Sequence, residues 1–345
     1  MAKMKNNITT DEAYQEYILK GVSRTFALTI PQLPPPLCKV VSNGYLLCRI
    51  ADTIEDEPNL TAEQKRQFSQ EFIKVVAGVS NPKALSQALS PLLSDSTLPT
   101  EKDLISNTHR VINLTHSFTK EQRAALHRCI HIMAKGMVEF QQNSSLNGLK
   151  DLAEMDRYCY YVAGVVGEML TDLFCDYSPH IAQQKKQLQK LAVSFGQALQ
   201  MTNILKDIWE DRKRGACWLP QEVFTEVGFD LKNLSPDHYN EKFGEGLAKL
   251  IGIAHSHLHN ALRYILLIPP DEKGIRRFCL YALGMAILTL RRINRHRNFN
   301  QGEQVKISRG SVKATILVSN FAGGNNISLR MLFYLLTRSM VNGEW

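Results

Sequence analysis

Residues 45–56 read YLLCRIADTIED and residues 200–211 read QMTNILKDIWED. Each stretch sets two aspartates four positions apart and puts a glutamate just before the second: Asp52, Glu55 and Asp56, then Asp207, Glu210 and Asp211. The residues between them decide the local structure. At about 100° per helical residue, Tyr45, Arg49, Asp52 and Asp56 fall within an arc of roughly 60°. Leu46, Leu47, Ile50, Ala51 and Ile54 lie on the opposite side. Gln200, Asn203, Asp207 and Asp211 share a face of about 80°, with Met201, Leu205, Ile208 and Trp209 largely behind. Both stretches are therefore read as amphipathic helices with an acidic face. Such a face is ordinarily solvated surface. Yet like charges at this spacing cost a helix roughly 0.2–0.5 kcal/mol, and Asp is a mediocre helix former. Two copies of one unfavourable layout ask for a reason.

The same helical period runs through most of the chain. Apolar residues recur three and four apart over roughly 10–20, 37–56, 61–77, 101–143, 150–175, 185–212, 236–268, 274–298 and 310–340. Breakers fall between these segments: PQLPPP at 31–36, SPLLSDSTLP at 90–99, NSSLNG at 143–148, LPQEVF at 219–224 and IPPDEKG at 268–274. No strand-like alternation bounded by hairpin turns occurs. No stretch reads as a linker between domains, and no period other than the acidic pattern repeats. The expectation is one all-α domain over residues 1–345.

With 345 residues, 44% of them hydrophobic and 21% charged, the chain has the balance of a globular protein with a large core. Its formal net charge of +8 favours anionic partners: phosphate esters, nucleic acid or a membrane surface. The seven cysteines are scattered, mostly in apolar runs, and read as free thiols of a reducing compartment. The opening MAKMKNNITTDEAYQEY has no apolar core of the signal-peptide kind. FCLYALGMAIL and TILVSNFAGG are too short to span a bilayer. The expected location is the cytoplasm.

Two carboxylate faces suit a hard cation. Mg²⁺ takes one or two carboxylates, keeps several waters and bridges to substrate phosphates. A di-iron bundle would need Glu-x-x-His pairs, which this chain lacks. His255 and His259 of HSHLH share a helical face, but no third ligand converges on them. Phosphate also needs cations and hydroxyls. Arg49 sits on the first acidic face, Lys206 and Arg212-Lys213-Arg214 flank the second, and Ser23 and Arg24 precede the first. Arg grips phosphate bidentately, and Lys acts as a point charge. Together they point to a Mg²⁺-bridged polyphosphate between two facing helices. A third stretch, YCYYVAGVVGEMLTDLF at 158–174, sets Tyr158, Tyr160 and Tyr161 before Ala163, Gly164 and Gly167. Glycine inside a helix costs about 1 kcal/mol against alanine. Tight helix packing would explain it, and so would a groove in which an unbranched apolar ligand lies along exposed backbone. Nearby aromatic faces would steady a carbocation formed from an allylic diphosphate.

These segments, VSRTF (22–26), YLLCRIADTIED (45–56), YCYYVAGVVGEML (158–170), ALQMTNILKDIWED (198–211) and WLPQEVF (218–224), stand in one order that resembles the squalene/phytoene synthase family. The resemblance runs over about residues 17–322. WLPQEVF, FCLYALGMAILTL (278–290) and VKISRG (305–310) are similar to its squalene-forming branch. Adjacent aspartates of the head-to-tail prenyl synthases are absent. The resemblance implies a single-domain isoprenoid-synthase helical bundle around a central cavity. It implies Mg²⁺-dependent head-to-head condensation of two farnesyl diphosphates to presqualene diphosphate, then reduction by NADPH to squalene. Carried onto this chain, it implies a metal set of Asp52, Glu55, Asp56, Asn203, Asp207 and Asp211. It implies diphosphate contacts from Ser23, Arg24, Tyr45, Arg49, Gln200, Asn203 and Lys206. Tyr161 would guide proton loss or steady the first cation, and Phe278 would face the later one.

For NADPH the family implies the stretch RRINRHRNFNQGEQVKISRGSVK at 291–313, with Lys306 and Arg309 as the matching residues. No Gly-x-Gly-x-x-Gly fingerprint exists, so a basic surface would hold the cofactor. Three positions depart from the family: Val22 where His is common, Lys206 where Arg is common, and Asn294 near a position where the branch often has Tyr. Eukaryotic relatives end in a membrane anchor, which this chain does not carry up to Trp345. Squalene leaving such a pocket prefers a bilayer, so peripheral membrane contact through basic residues is expected. The competing readings are a synthase that makes dehydrosqualene or phytoene or stops at presqualene diphosphate, and a non-catalytic helical protein that binds lipid or membrane surfaces. A nucleic-acid binder is not expected, since no recognition motif accompanies the basic stretch.

Overall fold

A computed structural model describes residues 9–23, 25–142 and 145–340. Among them there is no β-strand, only the isolated bridges Leu149–Pro220 and Ser235–His238, so the all-α expectation holds. The helices group into two compact units. One gathers the described residues up to Gln142 together with Met169–Ala182, and the other gathers the described residues of 143–168 and those from Gln183 onward.

In the first unit the helix Pro35–Asp56 carries the first acidic face. Proline at its first turn gives up an amide that has no intrahelical partner anyway. Its apolar side, from Leu37 through Leu46, Leu47 and Ile50 to Ile54, is almost fully buried, as the period requires. One polar side chain in that buried face fixes its register. Asn43 is wholly buried and donates to the Val111 carbonyl (2.9 Å) and the Gln15 side chain (3.3 Å). It accepts from Thr115 Oγ1 at 2.8 Å. A buried amide with its partners in place specifies a single seat for the helix.

In the second unit the helix Lys185–Lys206 leads to the second acidic face and packs against Glu241–Leu267 and against the turn Tyr160–Gly164. That turn is π-helical, one residue wider than the helices on either side of it. Glycines set how closely it approaches. A Cβ on Gly196 would lie 2.3 Å from the Ala163 carbonyl oxygen, and one on Gly167 would lie 2.4 Å from that of Ala192. Gly167 thus serves backbone-to-backbone packing, while a Cβ on Gly164 would meet the Tyr160 ring at 3.0 Å and the Val193 side chain at 3.3 Å. Of the two readings of these glycines, tight helix packing describes the structure at Gly167, where the neighbouring helix fills the space.

Several long periodic segments are shorter helices in sequence. The stretch 101–143 holds Pro99–Ser106, Thr108–Ser117 and Lys120–Gln142, and 185–212 divides at Asp207. The stretch 310–340 divides at Gly323–Asn325 into Arg309–Ala322 and Asn326–Thr337, and 236–268 is helical only from Glu241. Among the described residues no helix is long and apolar enough to cross a membrane. None of the seven cysteines forms a disulfide, and five are buried.

Candidate active site

The first acidic face and the residues tied to it lie wholly in the first unit. The Tyr45 hydroxyl donates to the Val22 carbonyl (3.2 Å), and its ring lies 5.0 Å from that of Phe26. Ser23 is buried, and its hydroxyl accepts from the Phe26 amide at 2.9 Å. The VSRTF segment is in this way tied to the acidic helix. Arg24 lies outside the described residues. One turn on from Tyr45, the Arg49 guanidinium pairs with Glu101 and stands 3.9 Å from Asp52 Oδ2. Sequence reasoning missed Glu101. The signal it offers, a glutamate in the first turn after Leu98-Pro99, reads as a helix cap and says nothing of Arg49.

Asp52 keeps 33% of its side-chain surface open. Even so, burial pushes its pKa up to about 7, with Asp56 and Glu101 adding to the rise and Arg49 opposing it. Arg49 thus faces two carboxylates, those of Glu101 and Asp52. Glu55 turns elsewhere. Its carboxylate accepts from Gln141 Nε2 at 3.2 Å and, with Lys65 and Ser69, lines a cavity of about 110 Å³ that neither Asp52 nor Asp56 lines. Burial, then Asp56 and Asp52, raise its pKa to about 8. The Lys65 ammonium bonds the Glu55 backbone carbonyl.

The second acidic stretch lies wholly in the second unit. The expected single helical face is corrected at Asp207, which closes one helix and opens the next with φ −101° and ψ 16°. The hydrogen-bond path survives the break: the Asp207 amide bonds Asn203 O at 2.8 Å, and the Asp211 amide bonds Asp207 O at 2.9 Å. Asn203, Lys206 and Asp207 are drawn together. Lys206 Nζ lies 3.0 Å from Asp207 Oδ2 and donates to Asn203 Oδ1 at 3.3 Å. Gln200 is half-buried one turn earlier. Asp211 is buried and accepts from Arg214 at 2.5 Å. Arg212 instead bonds the carbonyls of Leu146 and Leu231, a structural task. Glu210, like Glu55, leaves the acidic face: it accepts from the Gly302 amide at 3.2 Å.

Elsewhere in this unit Tyr161 is half-buried in the π-helical turn, its ring 5.7 Å from that of Tyr160. Tyr158 stacks on Trp218 of the WLPQEVF stretch at 4.2 Å. Phe278 is buried at 5% exposure. Lys306 is exposed and 3.3 Å from Glu303, and Arg309 is exposed at the start of its helix. Asn294 donates to Ser339 O at 3.2 Å. His255 and His259 both face the Phe333 ring, at 5.8 and 5.5 Å, and His257 bonds Ser194 at 2.8 Å. The histidine cluster thus serves packing and polar bonding.

Within neither unit do three His, Cys, Asp or Glu side chains, among the described residues, come close enough to hold an ion unaided. The expected donors are carboxylate and amide oxygens, Asp52 and Asp56 in the first unit and Asn203, Asp207 and Asp211 in the second, with Arg49, Lys206 and Arg214 alongside. That set fits an Mg²⁺ ion that completes its shell with water and phosphate.

The sequence pattern of the squalene/phytoene synthase family matches residues 19–311. The squalene synthase ERG9 of Saccharomyces cerevisiae is 30% identical over 315 residues, covering 89% of this chain and 67% of that protein. The squalene synthase R6 of a Phoma species is 30% identical over 281 residues, 79% of this chain and 63% of that one. The chain thus spans about two thirds of the length of these relatives. In fold it is similar to TcSQS solved with the ligand BPH1237, with a TM-score of 0.76, 22% identity and coverage of 97% of this chain and 93% of that one. A ligand-bound dehydrosqualene synthase gives a TM-score of 0.66 at 21% identity, over 90% of this chain and 95% of that one.

Proposed function

The chain belongs to the squalene/phytoene synthase family and is a prenyltransferase, and from that premise we propose that it is a squalene synthase. In this reading it condenses two farnesyl diphosphates head to head to presqualene diphosphate and reduces that to squalene. One observation carries the choice: sequence identity of 30% with a squalene synthase extends over 89% of the chain. The single-domain reading of residues 1–345 is part of the proposal.

The residues take these roles. Asp52 and Asp56 on one helix, and Asn203, Asp207 and Asp211 at the other, would hold Mg²⁺; Glu55 enters this set only if its carboxylate leaves Gln141. The ion, when bound, supplies charge to a departing diphosphate. Ser23, Arg24, Tyr45, Arg49, Gln200 and Lys206 bind and orient the diphosphates. Arg49 and Lys206 are already beside the acids, so a diphosphate gains them by exchanging one anion for another. Tyr161 guides the proton lost on cyclopropane closure or steadies the first cation, and Phe278 offers its face to the later cation. NADPH, when bound at Lys306 and Arg309, supplies the hydride.

The test is incubation with farnesyl diphosphate and Mg²⁺, with and without NADPH, followed by analysis of the hydrocarbons. Squalene formed only with NADPH is the expected result. The same hydrocarbon in both arms would replace the proposal with a dehydrosqualene- or phytoene-type synthase. Accumulated presqualene diphosphate would end the reaction a step earlier. Absence of Mg²⁺-dependent diphosphate release would leave a lipid- or membrane-surface-binding helical protein.

A further inference from the structure

The apolar run TILVSNFAGG is absorbed by no part of the catalytic reading. It belongs to two short helices, Arg309–Ala322 and Asn326–Thr337, joined by Gly323, Gly324 and Asn325. Ser319 of the first and Leu329, Phe333 and Thr337 of the second are buried, and one bond anchors each to the helix Lys273–Arg295. The Tyr281 hydroxyl donates to Asn320 Oδ1 at 3.0 Å, and Arg276 donates to Asn326 Oδ1 at 2.6 Å. The other sides carry large apolar residues in the open. Leu317, Val318 and Phe321 are 58, 40 and 83% exposed, and Ile327, Met331, Tyr334 and Leu335 are 77, 65, 65 and 48% exposed. Helical spacing puts each set on one stripe of its helix. No other part of the described chain concentrates exposed apolar side chains in this way. Scattered exposed apolars are ordinary, whereas two adjoining stripes mark an interaction surface.

Charge decides what it meets. From Gly310 to Met340 the chain has Lys313, Arg330 and Arg338, all exposed, and no Asp or Glu. A second copy docking isologously would set like charges against one another. An anionic bilayer attracts all three and takes the apolar stripes among its acyl chains. Val318 belongs both to the exposed stripe and to an apolar groove of about 240 Å³ lined by Leu283, Ile287, Leu329 and Leu336 among others.

We propose that the hairpin of Arg309–Ala322 and Asn326–Thr337 is a bilayer-docking element that lays its Leu317–Phe321 and Ile327–Leu335 stripes into an anionic membrane surface. The surface is independent of the catalytic reading, and its test needs no substrate. The full chain is sedimented with phosphatidylcholine vesicles with and without phosphatidylserine. Binding is expected only with phosphatidylserine, and it should fall as salt is raised. Phe321→Asp with Ile327→Asp should lower the partition coefficient about tenfold or more, at unchanged helix content and thermal midpoint. Lys313→Gln with Arg330→Gln and Arg338→Gln should remove the preference for phosphatidylserine. Phe321→Trp emission should shift to the blue on adding the anionic vesicles. Failure of the wild-type chain to sediment with them at low salt overturns the proposal. So does equal binding by the double Asp variant, or a wild-type dimer in sedimentation equilibrium that this variant dissolves.

Discussion

At Asp52 the chain holds a carboxylate whose pKa burial and two neighbouring acids have raised to about 7, with the Arg49 guanidinium as its near cation. A divalent ion would relieve that crowding, whereas an uncharged amide would remove both the crowding and the ligand. Asp52→Asn and, in the other unit, Asp207→Asn are each expected to slow Mg²⁺-dependent diphosphate release from farnesyl diphosphate by at least about a hundredfold. Release at the wild-type rate in both variants would remove the metal assignment. The aspartates were legible because spacing alone puts them on a polar face. The fate of the adjoining glutamates was not: Glu55 and Glu210 find Gln141 and the Gly302 amide, partners 86 and 92 positions away. Local spacing has no access to contacts of that range. Arg276 makes the same point in the core. It is wholly buried, donates to Ile268 O at 3.1 Å and holds Asn326. Arg276→Met keeps the length of the side chain but strands both acceptors, a cost of about 2–4 kcal/mol. Urea denaturation should show it, together with faster proteolysis within 309–337. An unchanged midpoint would mean that water replaces the guanidinium without loss.

On the scale of single elements, helix existence was written in the 3.6-residue period and helix ends were not. Asp207 shows why. The apolar positions on both sides keep the period, so the sequence reads through it, yet φ and ψ leave the helical region there. The break turns Asp207 and Asp211 without cutting the hydrogen-bond path. The glycines of 158–174 were legible as close approach, but sequence could not choose between a ligand and a neighbouring helix. The Ala163 and Ala192 carbonyls decide it. Gly196→Ala puts a methyl group 2.3 Å from one of them, so the helix Lys185–Lys206 and the π-helical turn must separate. The expected cost is about 1–3 kcal/mol by overpacking. Because Tyr161 rides on that turn, turnover should fall as well. Gly324→Ala is the control: a Cβ there meets nothing within 4 Å, and stability should move by no more than about 0.5 kcal/mol. If the two variants denature together, the packing account of the glycine is wrong.

For the molecule as a whole, the fold class and its basic balance followed from composition and period, because both are sums over many residues that no single contact can reverse. Its division into two compact units did not follow, since the chain passes between them without any linker-like composition. The response of the whole to acid is likewise hidden until burial is known. Burial holds the His257 ring below its ordinary pKa of 6.5, with Asp156 pulling the other way, and burial and then His259 do the same to His255. Below about pH 6.5 the unfolded chain takes up protons that these rings refuse in the folded state. The unfolded state then binds more protons, so stability falls as the pH drops and is flat above the unfolded value, with a slope of at most about 1.4 kcal/mol per pH unit for each ring. Asp156 has the opposite sign. Burial raises its pKa, so in acid the folded state gains a proton first and part of the loss is offset. Asp52 and Glu55, raised to about 7 and about 8, act in the same sense as Asp156, so the His257 contribution is read as a difference between proteins. In urea denaturation across pH 7 to 5, His257→Gln, which can still meet the Ser194 hydroxyl, should gain stability relative to the wild type as the pH falls. Parallel curves for the two proteins would show that His257 titrates alike in the folded and unfolded chain, and the acid sensitivity would then belong to other groups.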